Sequence, residues 1–367
     1  MSFKYFVTND INIPQYTLTC LLYSIVMIQF KKLINAKALY QEPDRIWVAK
    51  GMTFFAVDYS GKRISSVFNV GGMKDRLLGC HRLSSQLLRV GLHHLLPLKN
   101  GNILVTAKRR TYLYDKDGNV WTGYQGNKPG HQGVCVTPEG TIFFAEYLLN
   151  PNRDHDIHLW RSIDNGMTFN VVKTWEEGDI RHLHFVKWDK YEHCLWLGTG
   201  DYGDNGSENR LYRSADDGET WELVGQYSQD WRAIGICFTE DALLWGTDAG
   251  SCSDTVHFVR MDRKTRKIEI IQDFEGPCHG CASFAGGRAF FSTGVEGGEN
   301  EKDRYSRMKE YHDGRCENVW KLEKDCWPLI VQYGVMRFPL GTDMCNHVVF
   351  TTMGLKGYGE CVMIEDK

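Results

Sequence analysis

Apolar and polar residues alternate in short runs over most of the chain, and Gly, Asp and Asn separate the runs. Period-two alternation broken by turn formers predicts short β-strands joined by tight turns. The runs recur in a fixed order: an alternating strand, a turn, a strongly apolar strand, a loop, a third strand, a second turn and a last strand. First strands begin near His93, His131, His182, Arg232, His279 and Tyr333. Second strands include Ile142–Ala145, Leu195–Thr199, Leu243–Thr247 and Ala289–Thr293. Strands at Arg45–Ala49, Thr53–Asp58 and Ile64–Val70 read as a further unit lacking its first strand, and Val335–Ile364 as one lacking its last.

Two of the turns align without gaps. Arg161–Phe169 and Arg213–Trp221 both read Ser-x-Asp-x-Gly-x-Thr-aromatic and lie 52 residues apart. In such a turn Gly takes a positive φ, Asp binds local amides, and the aromatic pins the hairpin to its sheet. Degenerate copies occur at Asp58–Gly61, Asp115–Gly118 and His312–Gly314. A repeat of this period predicts an all-β fold: a single β-propeller of four-stranded antiparallel blades. The expected count is seven blades, with six as the alternative. Strands shared between the two termini would close the ring and remove its open edges. The propeller is placed at 35–367 and an N-terminal extension at 1–34, with surface loops at Asp204–Asn209 and Gly297–Asp303.

Composition narrows the partners. With 43 Lys+Arg against 46 Asp+Glu the net charge is -3, which gives no broad attraction to nucleic acid or an anionic membrane. Aromatic residues make up 13% and include 11 Trp, which suits packing between blades and also stacking on sugar rings. Twelve scattered Cys read as buried thiols of a reducing compartment, and Cys278–Cys281 stands without the second pair of a zinc site. The apolar run Leu18–Phe30 is too short for a confident span and has its lysines after it. It reads as an anchor, a poor export signal or a packed segment. Localisation is therefore open between the cytoplasm and export from a bacterium.

In a propeller one mouth of the channel is formed where first strands begin and second strands end. That rule collects His93, His94, His131, Arg181, His182, His184, Arg232 and His279 from strand starts. From the ends of second strands it collects Lys108, Arg109, Glu146, Tyr147, Asp201, Asp248 and Glu296. Six of the 13 His fall here, beside arginines and carboxylates, and such a set can move protons near neutral pH. His182 and His184 point to one face of a strand, where they either share a metal or bond backbone groups between blades. Arg181 and Arg232 either clamp a substrate carboxylate or pair with Asp201 and Asp248.

The Ser-Asp-Gly-Thr turns resemble the Asp-box turns of sialidase-like, BNR-repeat propellers. His131–Asp248 carries most of the likeness and looks like a bacterial subgroup labelled as glycosyl hydrolases. That subgroup is distantly similar to propeller polysaccharide lyases, including those that cleave rhamnose from glucuronate. The Arg-Ile-Pro motif implied for true sialidases has Arg45-Ile46-Trp47 as its nearest match.

The leading expectation is an enzyme acting on an acidic oligo- or polysaccharide, through β-elimination at a uronate. His131, His182 or His184, with Tyr147, would supply base and acid. Arg181 and Arg232 would neutralise the carboxylate, and His93, Arg109, Asp248 and His279 would bind substrate. A divalent metal, Ca or Mn, held by His182 and His184 can replace one arginine. Hydrolysis would use two placed carboxylates, Glu146 with Asp201 or Asp248. The remaining alternative is a propeller that binds glycan or protein without catalysis.

Overall fold

The computed structural model describes residues 28–201, 206–249, 255–298, 301–342 and 347–366. The segment Leu18–Met27, most of the apolar run, lies outside them, as do parts of the loops expected at Asp204–Asn209 and Gly297–Asp303.

The strands form antiparallel meanders of four. The innermost strands of the first three are Lys37–Glu42, His94–Pro97 and Pro129–Val136. Those of the next four are His182–Asp189, Cys237–Phe238, Cys278–Ser283 and Val335–Arg337. Five of these units are separate sheets, whereas the third and fourth join through a single parallel bridge between Gln132 and Phe185.

Burial explains the two kinds of strand read from the sequence. Every residue of Ile103–Ala107, Ile142–Glu146, Cys194–Gly200, Ala242–Gly246 and Ala289–Thr293 is buried. These second strands pack on a neighbouring unit through both faces, so their apolar runs are continuous. Phe143 and Leu195, from the third and fourth units, share one core cluster, and Trp196 and Trp245, from the fourth and fifth, share the next. The outer strand Val120–Gln125 is almost wholly exposed, Val120 and Trp121 included.

Three features depart from the expectation. The first unit has its first strand, Lys37–Glu42, whose mixed Lys-Ala-Leu-Tyr-Gln-Glu sequence hid its alternation. The seventh unit takes its outer strand from Ile28–Asn35, which pairs with Glu360–Asp366 from Ile28↔Asp366 to Asn35↔Glu360. The closing strand therefore starts at Ile28, inside the segment assigned to the extension. Two short helices, Met73–Cys80 and Arg82–Leu87, lie between the first and second units. Among the described residues no helix is long and apolar enough to cross a membrane.

The aligned turns fold alike. The Ser162 hydroxyl donates to Asp164 Oδ1 at 2.8 Å and accepts from the Gly166 amide at 2.9 Å. Thr168 donates its amide and hydroxyl to Asp164 at 2.9 and 2.6 Å. Ser214, Asp216, Gly218 and Thr220 repeat this set of bonds. Gly166 and Gly218 have φ of 81° and 83°, a region that favours glycine. Asp58 and Asp115 in the degenerate copies still accept from amides two and four residues on. Asp164→Ala removes three hydrogen bonds to a carboxylate and is expected to lower stability by about 1–2 kcal/mol, read as a denaturation midpoint shift. No change in ligand binding should accompany it.

Candidate functional site

Five of the expected residues meet in one largely buried cluster at the start of the fourth unit. His182 and His184 lie two apart on one strand, both buried, and Asp201 follows the paired strand Cys194–Gly200. The Nε2 atoms of the two imidazoles lie 3.1 Å apart. Asp201 Oδ1 is 3.0 Å from His184 Nε2, and its Oδ2 is 3.3 Å from His182 Nε2. Arg232 from the fifth unit donates to Asp201 Oδ1 at 2.9 Å, and Arg181 to Oδ2 at 2.8 Å. The arginines thus take the ion-pairing role anticipated as their alternative, and Arg232 also reaches Asp248 at 3.4 Å.

The hydrogen accounting in this cluster is informative. His182 Nδ1 faces the Leu148 carbonyl at 3.1 Å and His184 Nδ1 faces that of Ala233 at 2.9 Å. Carbonyls only accept, so both Nδ1 atoms carry the ring hydrogen and a neutral ring leaves Nε2 bare. Burial pushes the His182 pKa down despite its contact with Asp201, favouring that neutral ring. Burial alone would raise the Asp201 pKa, but its interactions with His182 and His184 hold it well below the carboxylate range. With His182 uncharged, the two guanidiniums supply the lasting positive charge. With the ring hydrogens held on Nδ1, the two Nε2 atoms and the carboxylate converge with no hydrogen between them, an arrangement that a cation would complete.

The trio fits the divalent metal expected from the sequence. Its three ligand atoms have the mutual spacing of adjacent ligands on one ion, and each ring hydrogen is held by a carbonyl, as metal-bound imidazoles are. Two imidazoles suit Mn better than Ca, which prefers oxygen. Millimolar Mn²⁺ is expected to raise the melting temperature by a few degrees, since an ion bound only by the folded state stabilises it. His184→Gln should abolish that shift. A second trio, Asp248, His279 and Glu296, also brings its donor atoms within 4.8 Å of one another.

Tyr147 covers the first trio. Its ring stacks on His182 with centroids 4.0 Å apart, and its face toward solvent leaves it 39% exposed. Burial of the hydroxyl, reinforced by Asp201 and Asp248, pushes its pKa up, so it is held protonated. Glu146, the preceding residue, points the other way. It accepts from Trp160 Nε1 at 2.9 Å and the His158 amide at 3.0 Å, which removes it from the acid–base set. His131 is likewise committed, with Nε2 2.8 Å from the Phe338 carbonyl. His94 is buried between Thr106 Oγ1 at 2.8 Å and the Gly130 carbonyl at 2.7 Å. Arg109 sits exposed at a turn with φ of 59°, away from the cluster. Cys278 and Cys281 are buried and form no disulfide, and burial pushes the Cys278 thiol pKa up, which leaves it inert.

The sequence missed the most charged part of the mouth. A cavity of about 800 Å³ is lined by Lys37, Lys50, Arg82, Arg89, Lys128 and Arg337, and among the described residues no Asp or Glu lines it. Arg82 pairs with Asp325 and lies over the Tyr358 ring. The other five make no ion pair with any described residue. Burial, then the charges of Arg337 and Lys128, lowers the Lys37 pKa to about 7, and its Nζ donates to the Leu92 carbonyl at 3.0 Å. His93 and His279 complete the lining. His279 is 2.7 Å from Glu296 and pushed up in pKa, because that carboxylate outweighs burial. His93 is held neutral by burial and by Lys128 and Lys37. The signal for Arg337 was its place on the seventh innermost strand, equivalent to the histidines; Lys37 lay on the unread first strand.

The architecture and its channel define a β-propeller. Solved propeller structures match over nearly the whole chain at identities that show the fold alone. A streptogramin B lyase structure superposes with a TM-score of 0.56 and 15% identity, covering 93% of this chain and 98% of that one. Virginiamycin B lyase from Staphylococcus aureus gives 0.54 and 14%, with 92% and 98% covered. The WD40 repeats of RRP9 give 0.52 and 9%, with 94% and 98% covered. No family model and no curated protein matches the sequence.

Proposed function

We propose that the channel mouth binds an acidic glycan and cleaves it by β-elimination at a uronate. One observation carries this reading: a chain of net charge -3 gathers six cations and, among the described residues, no carboxylate around a single cavity. Lys37, Lys128 and Arg337 among them are half-buried and make no ion pair with any described residue, and holding such cations together is costly unless an anionic group completes them. The turns' resemblance to sialidase-like propellers is in keeping with a glycan.

The roles follow from what each side chain has left to offer. Arg337 and Lys128 hold the uronate carboxylate and offset the charge that builds up when the neighbouring proton leaves. His93 takes that proton. Its imidazole has no hydrogen-bond partner among the described residues and is neutral at pH 7. The cations that depress its pKa are those the carboxylate neutralises, so substrate raises its basicity where it is needed. Tyr147, held protonated, gives its hydroxyl hydrogen to the departing sugar oxygen. His182, His184 and Asp201 fix the Tyr147 ring from beneath. A divalent ion held by those three would add positive charge under the ring and ease loss of its hydroxyl proton. Hydrolysis by Glu146 with Asp201 loses its basis, since both are consumed by internal bonds.

The test is incubation with polyuronates and rhamnose–glucuronate glycans while following ultraviolet absorbance of the unsaturated product. A rising absorbance with matching chain cleavage supports elimination. New reducing ends without absorbance would assign a hydrolase. Saturable binding with neither would leave a non-catalytic glycan binder.

A further inference from the structure

The channel has a second mouth, and it is chemically unlike the first. The innermost strands of the first, second, third, sixth and seventh units supply the cationic cavity at or just before their starts, and all seven supply a separate cavity at or just past their ends. Lys37 lies on the first and Tyr40 on the second; His93 is answered by Leu96, Lys128 by Val136, and Arg337 by Pro339. This second cavity has a volume of about 350 Å³ and a mostly apolar wall, with Trp188 and Phe238 among its lining. The size is that of a site for a small organic molecule.

Two polar groups in that wall are unsatisfied. Gln132 is 7% exposed and Thr137 2%, and among the described residues neither the Gln132 Nε2 nor the Thr137 Oγ1 has a hydrogen-bond partner. Both line the cavity. A buried amide or hydroxyl left unpaired costs about 1–3 kcal/mol, so such groups are normally satisfied. Gln132 sits where the third and fourth units join, opposite Phe185, and its side chain packs on Gly235, where a Cβ would meet it at 3.2 Å. The amide is thus fixed in place rather than turned toward bulk water.

We infer that this mouth is a second ligand site, taking a small, uncharged, largely apolar molecule that carries a carbonyl-type acceptor. The apolar wall takes the body of the ligand, the Gln132 amide donates to its carbonyl, and the Thr137 hydroxyl meets a second polar atom. Three lysines also line the cavity, but Lys99 and Lys190 are exposed and Lys187 donates to the Ile236 carbonyl at 2.9 Å, so the buried unsatisfied pair, which carries no charge, favours an uncharged occupant. The site is independent of the anionic glycan reading, because the two cavities share no lining residue.

Benzamide is the probe, followed by titration calorimetry and saturation-transfer NMR on the full chain. Saturable binding is expected in the native protein and in Arg337→Ala. Val136→Trp, which fills the cavity from its half-buried wall, should abolish it. Gln132→Leu keeps the volume and removes the unpaired donor; it should fold at least as stably and bind at least fivefold more weakly. No saturable binding to the folded native protein, binding unchanged in Val136→Trp, or equal affinity in Gln132→Leu would each overturn the inference.

Discussion

Replacing Asp201 with asparagine is expected to destabilise the protein by about 3–5 kcal/mol, the largest effect on stability of any single change in the site. The carboxylate is 7% exposed and is the common partner of Arg181, Arg232 and both imidazoles. The Asp201→Asn side chain would keep the shape but leave two guanidiniums facing a neutral amide. Chemical denaturation and melting curves measure the loss, and their pH dependence identifies its source. The folded carboxyl lies below its unfolded value, so its contribution is complete above pH about 4 and disappears as the pH falls further. Buried histidines act in another window. His94, lowered to about 3 mainly by burial, and His182 stay neutral in the fold while the unfolded imidazole protonates below about 6.5. Stability should therefore already fall below pH 6.5, by up to about 1.4 kcal/mol per unit for His94, with His182 adding loss in the same direction. The asparagine variant should show a flatter limb below pH 4 and keep much of the slope above it.

The second large effect is on turnover. Arg337→Ala is expected to raise KM for a uronate substrate about a hundredfold, while Tyr147→Phe lowers kcat by about 10²–10⁴ and leaves KM in place. The split distinguishes a group that holds the carboxylate from one that moves a proton. Loss of fold does not confuse the reading. Among the described residues Arg337 has no carboxylate partner to orphan, and its removal relieves like charge on Lys37 and Lys128. The alanine variant should melt at or above the native temperature. The Lys37 pKa should rise from about 7, because Arg337 is the largest charge contribution holding it down. Initial rates across substrate concentrations, with the Lys37 titration followed by NMR, check both claims.

The fold was legible because its repeats are local. Alternation, the Ser-Asp-Gly-Thr turns and the continuous apolar second strands all follow from backbone geometry within one unit, and six units could be counted from residues such as His131, His182 and His279. The mouth was legible as a place for the same reason, since strand starts and ends are fixed by register. Which way each side chain turns is set by neighbouring units. Glu146 reads like a catalytic carboxylate until Trp160 and the His158 amide are placed beside it. His131 reads like a base until the Phe338 carbonyl, 207 residues away, is brought to it. The cationic cavity was hidden because Lys37, Lys128 and Arg337 come from three separate units and no motif links them.

The antiparallel pairing of Ile28–Asn35 with Glu360–Asp366 has a mechanical consequence. It sets Ile28 opposite Asp366, so the two ends of the ring leave it side by side. A force pulling those ends apart loads the closing pair one rung at a time, peeling it like a zipper, and never shears all its rungs together. The ring should open at that seam under modest tension, before any of the inner meanders yields.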